Sequence, residues 1–105
     1  MKLLEITNKY KKHFKYLKKS IQGTEIMNRL EYVLNKLRKG ERLENQYRDH
    51  LLSDSGSFKG QRECHLAGNI LLIYILEKER IILNQIGTHS EIYEQSRKRA
   101  KITRR

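Results

Sequence analysis

Residues 70–76 read ILLIYIL, an uninterrupted apolar run that is partly β-branched. Such a run is typical of a strand that is covered on both faces. Residues 59–65 (KGQRECH) and 80–86 (RIILNQI) flank it as less regular strand patterns. Ala67-Gly68 and Glu77-Lys78-Glu79 supply the two turns between the three segments. The sequence therefore predicts three consecutive antiparallel strands, with residues 70–76 at the centre of the sheet.

The N-terminal part of the chain predicts a strand followed by two amphipathic helices. Residues 2–7 form the short apolar strand segment, and Thr7 or Asn8 is a suitable N-cap for the first helix. The apolar stripe of this helix consists of Tyr10, Phe14, Leu17 and Ile21. Gly23 is expected to end the first helix, Thr24 to cap the second, and Gly40 to end the second. The stripe of the second helix consists of Ile26, Leu30, Val33 and Leu37.

These elements predict an α/β (α+β) fold in which two N-terminal helices pack on a small, mainly antiparallel sheet. The expected order is β-α-α-β-β-β, with a possible helix after the last strand. Residues 41–60 show no periodicity and are expected to form a loop. A chain of 105 residues is long enough for one domain. We expect that domain to span residues 1–93, followed by a basic helix or tail at 94–105.

The charge of the chain favours a polyanionic partner. The formal net charge is +11, from 23 Lys and Arg against 12 Asp and Glu. Residues 97–105 contain six Lys and Arg and no acid, so the tail is expected to contact ribosomal RNA or an acidic protein segment. The single cysteine, Cys64, fits a reducing cytoplasm, and no stretch approaches the ~18 apolar residues of a membrane span. A cytoplasmic protein that does not enter a membrane is expected.

Three histidines at the ends of predicted segments suggest acid-base chemistry on RNA. They are His50, His65 and His89. Cleavage without a metal needs a base for the 2′-hydroxyl, an acid for the leaving oxygen and positive charge beside the phosphate, and it needs no cofactor. Lys59 and Arg62 could supply that charge, with Arg48 as a further candidate. Strand alternation places Arg62 and His65 on opposite faces, which weakens the assignment of Arg62.

Other interpretations of the same histidines remain open. Each of the three could be a hydrogen-bonded structural residue. A three-histidine zinc site is a second alternative, although the sequence lacks the close spacing that marks such sites. Tyr93 could stack on a base or orient a phosphate.

Four motifs carry a family resemblance. They are Tyr47-Arg48-Asp49-His50, Lys59-Gly60-Gln61-Arg62-Glu63-Cys64-His65, Leu71-Leu72-Ile73-Tyr74 and Gly87-Thr88-His89-Ser90-Glu91-Ile92-Tyr93. With these motifs the chain resembles the RelE/ParE superfamily of type II toxins, and within it the YafQ-type messenger RNA interferases. The resemblance implies an endoribonuclease that enters the ribosomal A site, cuts mRNA and is held inactive by a cognate antitoxin. It implies catalytic roles for His50, His65 and His89, with Tyr93 in the place of a C-terminal Phe.

Two expected substrate-binding positions depart from the family pattern. Asn69 stands where an Asp is expected, and Gln85 stands where an Arg is expected. An amide cannot neutralise a developing phosphorane charge, and its presence could cost ~3 kcal/mol, or roughly a hundredfold in rate. A RelE-fold protein that binds RNA, the ribosome or an antitoxin without cleavage is therefore the main alternative. A ParE-like gyrase inhibitor is a second alternative, which would not need the histidines.

Overall fold

The computed structural model describes residues 1–52 and 56–93. Its helices and strands are, in chain order, β1 (Leu3–Ile6), α1 (Asn8–Lys18), α2 (Gly23–Arg38), β2 (His50–Leu51), β3 (Arg62–Ala67), β4 (Ile70–Leu76) and β5 (Arg80–Thr88). Single 3-10 turns lie at Asn45–Tyr47 and Gly56–Phe58, and residues 89–93 are helical. The predicted tail at 94–105 and part of the predicted loop, at 53–55, lie outside the described residues.

The strands form one sheet in the order β1-β5-β4-β3-β2. β1 pairs with β5 in parallel, and the other neighbours are antiparallel. The predicted central strand is confirmed, since Leu72 pairs with Cys64 of β3 on one side and Ile86 of β5 on the other. The predicted fold class is confirmed too. Among the strands, the two-residue β2 at the edge of the sheet was not predicted.

The continuous apolar run of β4 is explained by burial on both faces of the sheet. Leu72 and Tyr74 belong to the core that the two helices cover, together with Tyr10 of α1 and Val33 of α2. Alternate β4 residues pack on the other face, where Ile92 covers Leu71 and Ile73. We call this second side the open face. The residues after β5 are therefore part of the packed domain as far as Tyr93.

The start of α1 agrees with the sequence prediction, but the junction between the helices does not. The Thr7 side chain caps α1 by accepting a hydrogen bond from the Tyr10 amide at 3.0 Å. Ile21, expected in the apolar stripe, is fully exposed because α1 ends at Lys18. Thr24 does not cap α2, which begins at Gly23 after a Gln22 that makes no capping side-chain hydrogen bond. A Cβ at residue 23 would lie 2.4 Å from the Lys18 carbonyl oxygen, so glycine permits this tight corner.

None of the helices in the described residues combines the length and the apolar character that crossing a bilayer requires.

Tyr10 links the packing of α1 to the stability of the protein at alkaline pH. Its side chain is 4 % exposed and stacks on Phe14 with ring centroids 5.7 Å apart. Burial raises the pKa of Tyr10 to about 12 from an ordinary value of 10.0. The pKa of Tyr10 is higher in the folded than in the unfolded protein. The stability that the buried, neutral phenol contributes is therefore complete below pH ~10 and is lost as the pH rises toward ~12.

We expect the Tyr10→Phe variant to lose less stability on alkalinisation than the wild type. Between pH 8 and 11 the difference should be about 1 kcal/mol in the free energy of unfolding, measured by guanidinium denaturation. Tyr16→Phe is the matched control, since Tyr16 is 81 % exposed, and it should follow the wild type. Equal losses in wild type and Tyr10→Phe would show that the Tyr10 phenol ionises freely in the folded protein.

Candidate active site

The candidate site lies on the open face and is built by three parts of the chain. The edge strand β2 brings His50 beside β3, where His50 pairs with Glu63. Alternation along β3 turns Glu63 and His65 toward the same face. The helical segment at 89–93 adds His89 and Tyr93. All three predicted catalytic histidines are therefore at one end of the molecule, close to the packed side chains of the open face.

Glu63 is the centre of this arrangement, and its side chain is only 8 % exposed. Its Oε1 lies 3.4 Å from Nε2 of His65 and 3.7 Å from Nε2 of His50. Its Oε2 accepts a hydrogen bond from the Tyr93 hydroxyl. A buried carboxylate of this kind interacts strongly with a nearby positive charge, because opposite charges attract strongly where water is scarce. We call Glu63 with His50, His65, His89 and Tyr93 the histidine cluster.

Sequence reasoning did not identify Glu63, although a signal was present. Glu63 and His65 are two residues apart in a predicted strand, and the period of a strand places such residues on one face. That pattern predicts a carboxylate beside the imidazole.

The His50 ring is oriented by the backbone of its own loop. Its Nδ1 lies 2.7 Å from the carbonyl oxygen of Arg48. A carbonyl oxygen only accepts, so Nδ1 carries the hydrogen and Nε2 of the neutral ring holds a free lone pair. The side chain is 51 % exposed. His50 is therefore available to accept a proton from a bound substrate, and its Nε2 is at ion-pair distance, 3.7 Å, from Glu63 Oε1.

His89 and Tyr93 form the aromatic side of the cluster. Their ring centroids are 4.6 Å apart, and Tyr93 lies 5.1 Å from Phe58. His89 is the first residue of its helical segment, which a capping box fixes: the Thr88 amide donates to Glu91 Oε1 at 2.8 Å, and the Glu91 amide donates to Thr88 Oγ1 at 3.1 Å. The sequence Thr-His-Ser-Glu carries this capping signal.

Tyr93 keeps its proton in this environment. Burial, together with the hydrogen bond to Glu63 and the negative charge of that carboxylate, raises the pKa of Tyr93. At neutral pH the phenol is therefore a hydrogen-bond donor that orients Glu63. Its ring remains available to contact a base.

Arg62 is not brought to the histidine cluster. It pairs with Tyr74 on the helix-covered face, opposite Glu63 and His65, as strand alternation predicts. Its guanidinium lies 3.1 Å from Asp49 Oδ2, and the Tyr74 hydroxyl donates to Asp49 Oδ1. Burial lowers the pKa of Arg62, but the hydrogen bonds with Asp49 and Tyr74 outweigh it and raise the pKa overall. The contacts of this Asp49–Arg62–Tyr74 triad hold Asp49, the residue next to His50, in place.

The other predicted substrate-binding residues occupy different positions. Gln85 pairs with Ile73, which pairs with Glu63, so Gln85 is on the open face. It is 8 % exposed, and its Oε1 is buried without a hydrogen-bond partner in the described structure. Asn69 is exposed in the turn before Ile70.

Lys59 is exposed directly after Phe58, which packs on Tyr93. Lys59 is therefore an exposed lysine next to the aromatic side of the cluster in the chain, and Gln85 is an uncharged amide on the same face of the sheet. The predicted substrate-binding roles of Lys59, Asn69 and Gln85 stay predictions.

Comparison with known proteins agrees with this architecture. The model of a family of bacterial toxins of type II toxin-antitoxin systems, YafQ, matches residues 2–94. This chain belongs to the YafQ toxin family. The mRNA interferase toxin YafQ of Escherichia coli strain K12 is 31 % identical over 91 residues, which are 86 % of this chain and 94 % of the relative.

Two solved toxin structures are similar over most of this chain. The E. coli DinJ-YafQ complex gives a TM-score of 0.75 at 28 % identity, covering 89 % of this chain and 99 % of the matched chain. A metal-bound toxin from Helicobacter pylori gives a TM-score of 0.74 at 32 % identity, covering 89 % of this chain and 100 % of the matched chain. Within residues 1–52 and 56–93 of this family member, no group of three or more His, Cys, Asp and Glu side chains is arranged to hold a metal ion.

Proposed function

We propose that this YafQ family member is an endoribonuclease of a type II toxin-antitoxin system that cuts mRNA on the ribosome and thereby inhibits translation. The observation that carries the proposal is the convergence of His50 and His65 on the buried Glu63 carboxylate, with His89 against Tyr93 in the same cluster. The E. coli relative bears the name mRNA interferase toxin, which supports the same activity here. The cytoplasm, where mRNA is translated, is the proposed site of action.

The geometry supports a stepwise account of proton transfer. Nε2 of neutral His50 accepts the proton of the 2′-hydroxyl as that oxygen attacks the adjacent phosphorus. The bond from phosphorus to the 5′-oxygen breaks, and a protonated imidazole, His65 or His89, supplies a proton to the leaving oxygen. Glu63 stabilises the imidazolium on His50 or His65 throughout, because its negative charge is fixed and buried. The products of this chemistry are a 2′,3′-cyclic phosphate and a free 5′-hydroxyl.

Lys59 is the proposed source of positive charge at the aromatic edge. We expect Lys59→Ala to lower the rate of mRNA cleavage about fivefold, since an exposed ammonium that contacts a phosphate contributes about 1 kcal/mol. Single-turnover cleavage measured at low and high salt would test this contribution. Lys78→Ala is the control, because Lys78 is exposed in the turn between β4 and β5. An unchanged rate in Lys59→Ala would remove Lys59 from the site.

A cognate antitoxin is the proposed protein partner. The E. coli relative has been solved in complex with DinJ, its antitoxin. The net charge of +11 in this chain fits an antitoxin segment that is acidic. The arginine-rich residues 97–105 are proposed to contribute to that contact or to contact with ribosomal RNA.

A binding protein of the same fold that no longer cleaves is the second candidate. The buried, uncharged Gln85 supports it, because this position on the open face supplies no cation for a phosphate.

Cell-free translation separates the two candidates. Purified protein and a His50→Ala/His89→Ala double variant are added to parallel reactions, and mRNA ends are mapped by primer extension. New ends inside translated codons that vanish in the variant are expected for the nuclease. Halted translation with intact message in both reactions would establish the binding-only candidate.

A further inference from the structure

A second feature adjoins the histidine cluster at the open edge of β3. β2 pairs only with Arg62 and Glu63, so among the described strands none covers the edge of β3 beyond Glu63. A cavity of about 340 Å³ lies there, between the start of α2, the turn at Asn45–Tyr47 and the end of β3. His65 lines this cavity while also facing Glu63. The cavity therefore adjoins, through His65, the place where the proposed reaction occurs.

Two guanidinium side chains line the same cavity. They belong to Arg29 of α2 and Arg48 of the loop before His50. Within residues 1–52 and 56–93, Arg48 has no carboxylate at ion-pair distance. Arg29 Nε lies 3.5 Å from Glu25 Oε1, but both side chains are largely exposed, at 42 % and 58 %, so this pair is weak. The cavity thus offers positive charge beside a cluster whose own fixed charge, on Glu63, is negative.

The backbone holds Arg48 in place at the rim. Arg48 has a φ of 48°, in the left-handed region, and its carbonyl accepts from His50 while the next residue, Asp49, is tied to Arg62. These contacts fix the direction in which the Arg48 side chain leaves the loop. A guanidinium placed in advance is suited to a phosphate oxygen, since little order must be gained on binding.

We infer that this cavity is a subsite for an RNA phosphate adjacent to the cleaved one, bound by Arg48 and Arg29. The inference rests on the proposed function, because it takes the scissile phosphate to lie at His65. An RNA strand that leaves His65 toward the open edge of β3 enters the cavity, where two cations meet the next phosphodiester. Glu25 opposes this binding by competing for Arg29.

Binding of an uncleavable RNA tests the subsite apart from catalysis. The full chain is titrated against a fluorescein-labelled hexanucleotide in which every 2′-hydroxyl is methylated, over a range of salt concentrations. Arg48→Gln should weaken binding about two- to fivefold at low salt and reduce the slope of log K against log salt by about 0.7. Glu25→Gln should strengthen binding by a similar factor. The matched controls are Arg42→Gln and Glu31→Gln, exposed positions outside the cavity with the same changes of charge.

The outcomes separate the subsite from the proposed function. If Arg48→Gln binds like Arg42→Gln, or Glu25→Gln binds like Glu31→Gln, the subsite is overturned even if the wild type cuts mRNA. The same loss of affinity for a short polyglutamate peptide would also overturn it, because the cavity would then be a general anion site. If Arg48→Gln loses affinity for RNA alone and the wild type never cleaves mRNA, the subsite would be supported and the proposed nuclease activity refuted.

Discussion

The Glu63→Gln variant is expected to cleave mRNA about a hundredfold more slowly than the wild type while keeping its fold. Glutamine has nearly the same shape and can still accept a hydrogen bond from Tyr93. It removes the negative charge that lies 3.4 Å from His65 and 3.7 Å from His50. The imidazolium that forms during proton transfer would then lack its partner. Single-turnover cleavage on programmed ribosomes, with circular dichroism as a check on folding, measures the effect.

A second readout shows whether Glu63 has the contacts assigned to it. The hydrogen bond and charge of Glu63 contribute, after burial, to the raised pKa of Tyr93. We therefore expect Glu63→Gln to lower the pKa of Tyr93, measured by alkaline titration of carbon-13-labelled tyrosine with NMR. Glu79→Gln, at an exposed position with the same change of charge, should affect neither the rate nor the titration. A wild-type rate in Glu63→Gln would exclude Glu63 from the chemistry.

The Asp49→Ala variant is expected to lose both stability and activity. Removing the carboxylate leaves the half-buried Arg62 guanidinium without its opposite charge and leaves the hydroxyl of Tyr74, whose residue is 0 % exposed, without its acceptor. The expected cost is about 3 kcal/mol in the free energy of unfolding. The adjacent His50 also loses its anchor, so cleavage should fall about tenfold or more under conditions where the variant remains folded.

A double-mutant cycle tests whether the triad acts as a unit. Once Arg62→Ala has been introduced, the further change Asp49→Ala should cost much less stability than it does in the wild type. Denaturant unfolding of the four proteins gives the coupling energy directly. Strictly additive losses would mean that Asp49 and Arg62 stabilise the protein independently, and the proposed anchoring of His50 would fail.

The sheet could be predicted where the burial of a strand leaves a clear pattern of apolar residues in the sequence. Residues 70–76 are apolar without alternation because both faces of β4 are covered, one by the helices and the other by Ile92. β2 was not predictable, since a strand of two residues is too short to show any period. Ile21 continued the spacing of the α1 stripe, yet the helix ends three residues earlier at Lys18. The end of α1 depends on the tight turn that brings Gly23 against Lys18, and the spacing of apolar residues does not indicate that turn.

The site was predictable in part for similar reasons. His50 and His65 both approach Glu63 because β2 pairs with β3 at Glu63 and strand alternation turns His65 to the same face. The function of Arg62 depends on which face of β3 it occupies, and alternation did predict the face. The sequence could not show that Arg62 and Tyr74 both contact Asp49. Asp49 is 13 residues from Arg62 and 25 residues from Tyr74 along the chain.

The central claim is that the histidine cluster transfers protons to and from an RNA 2′-hydroxyl and the leaving oxygen. The most direct test uses an mRNA whose preferred cut site, mapped with the unmodified message, carries a single 2′-deoxynucleotide on the 5′ side of the scissile phosphate. Our account predicts that this message stays intact at that position while the unmodified message is cut and carries a 2′,3′-cyclic phosphate at the new end. Cleavage of the 2′-deoxy message at the same position and rate would contradict the account, because attack would then not depend on the hydroxyl.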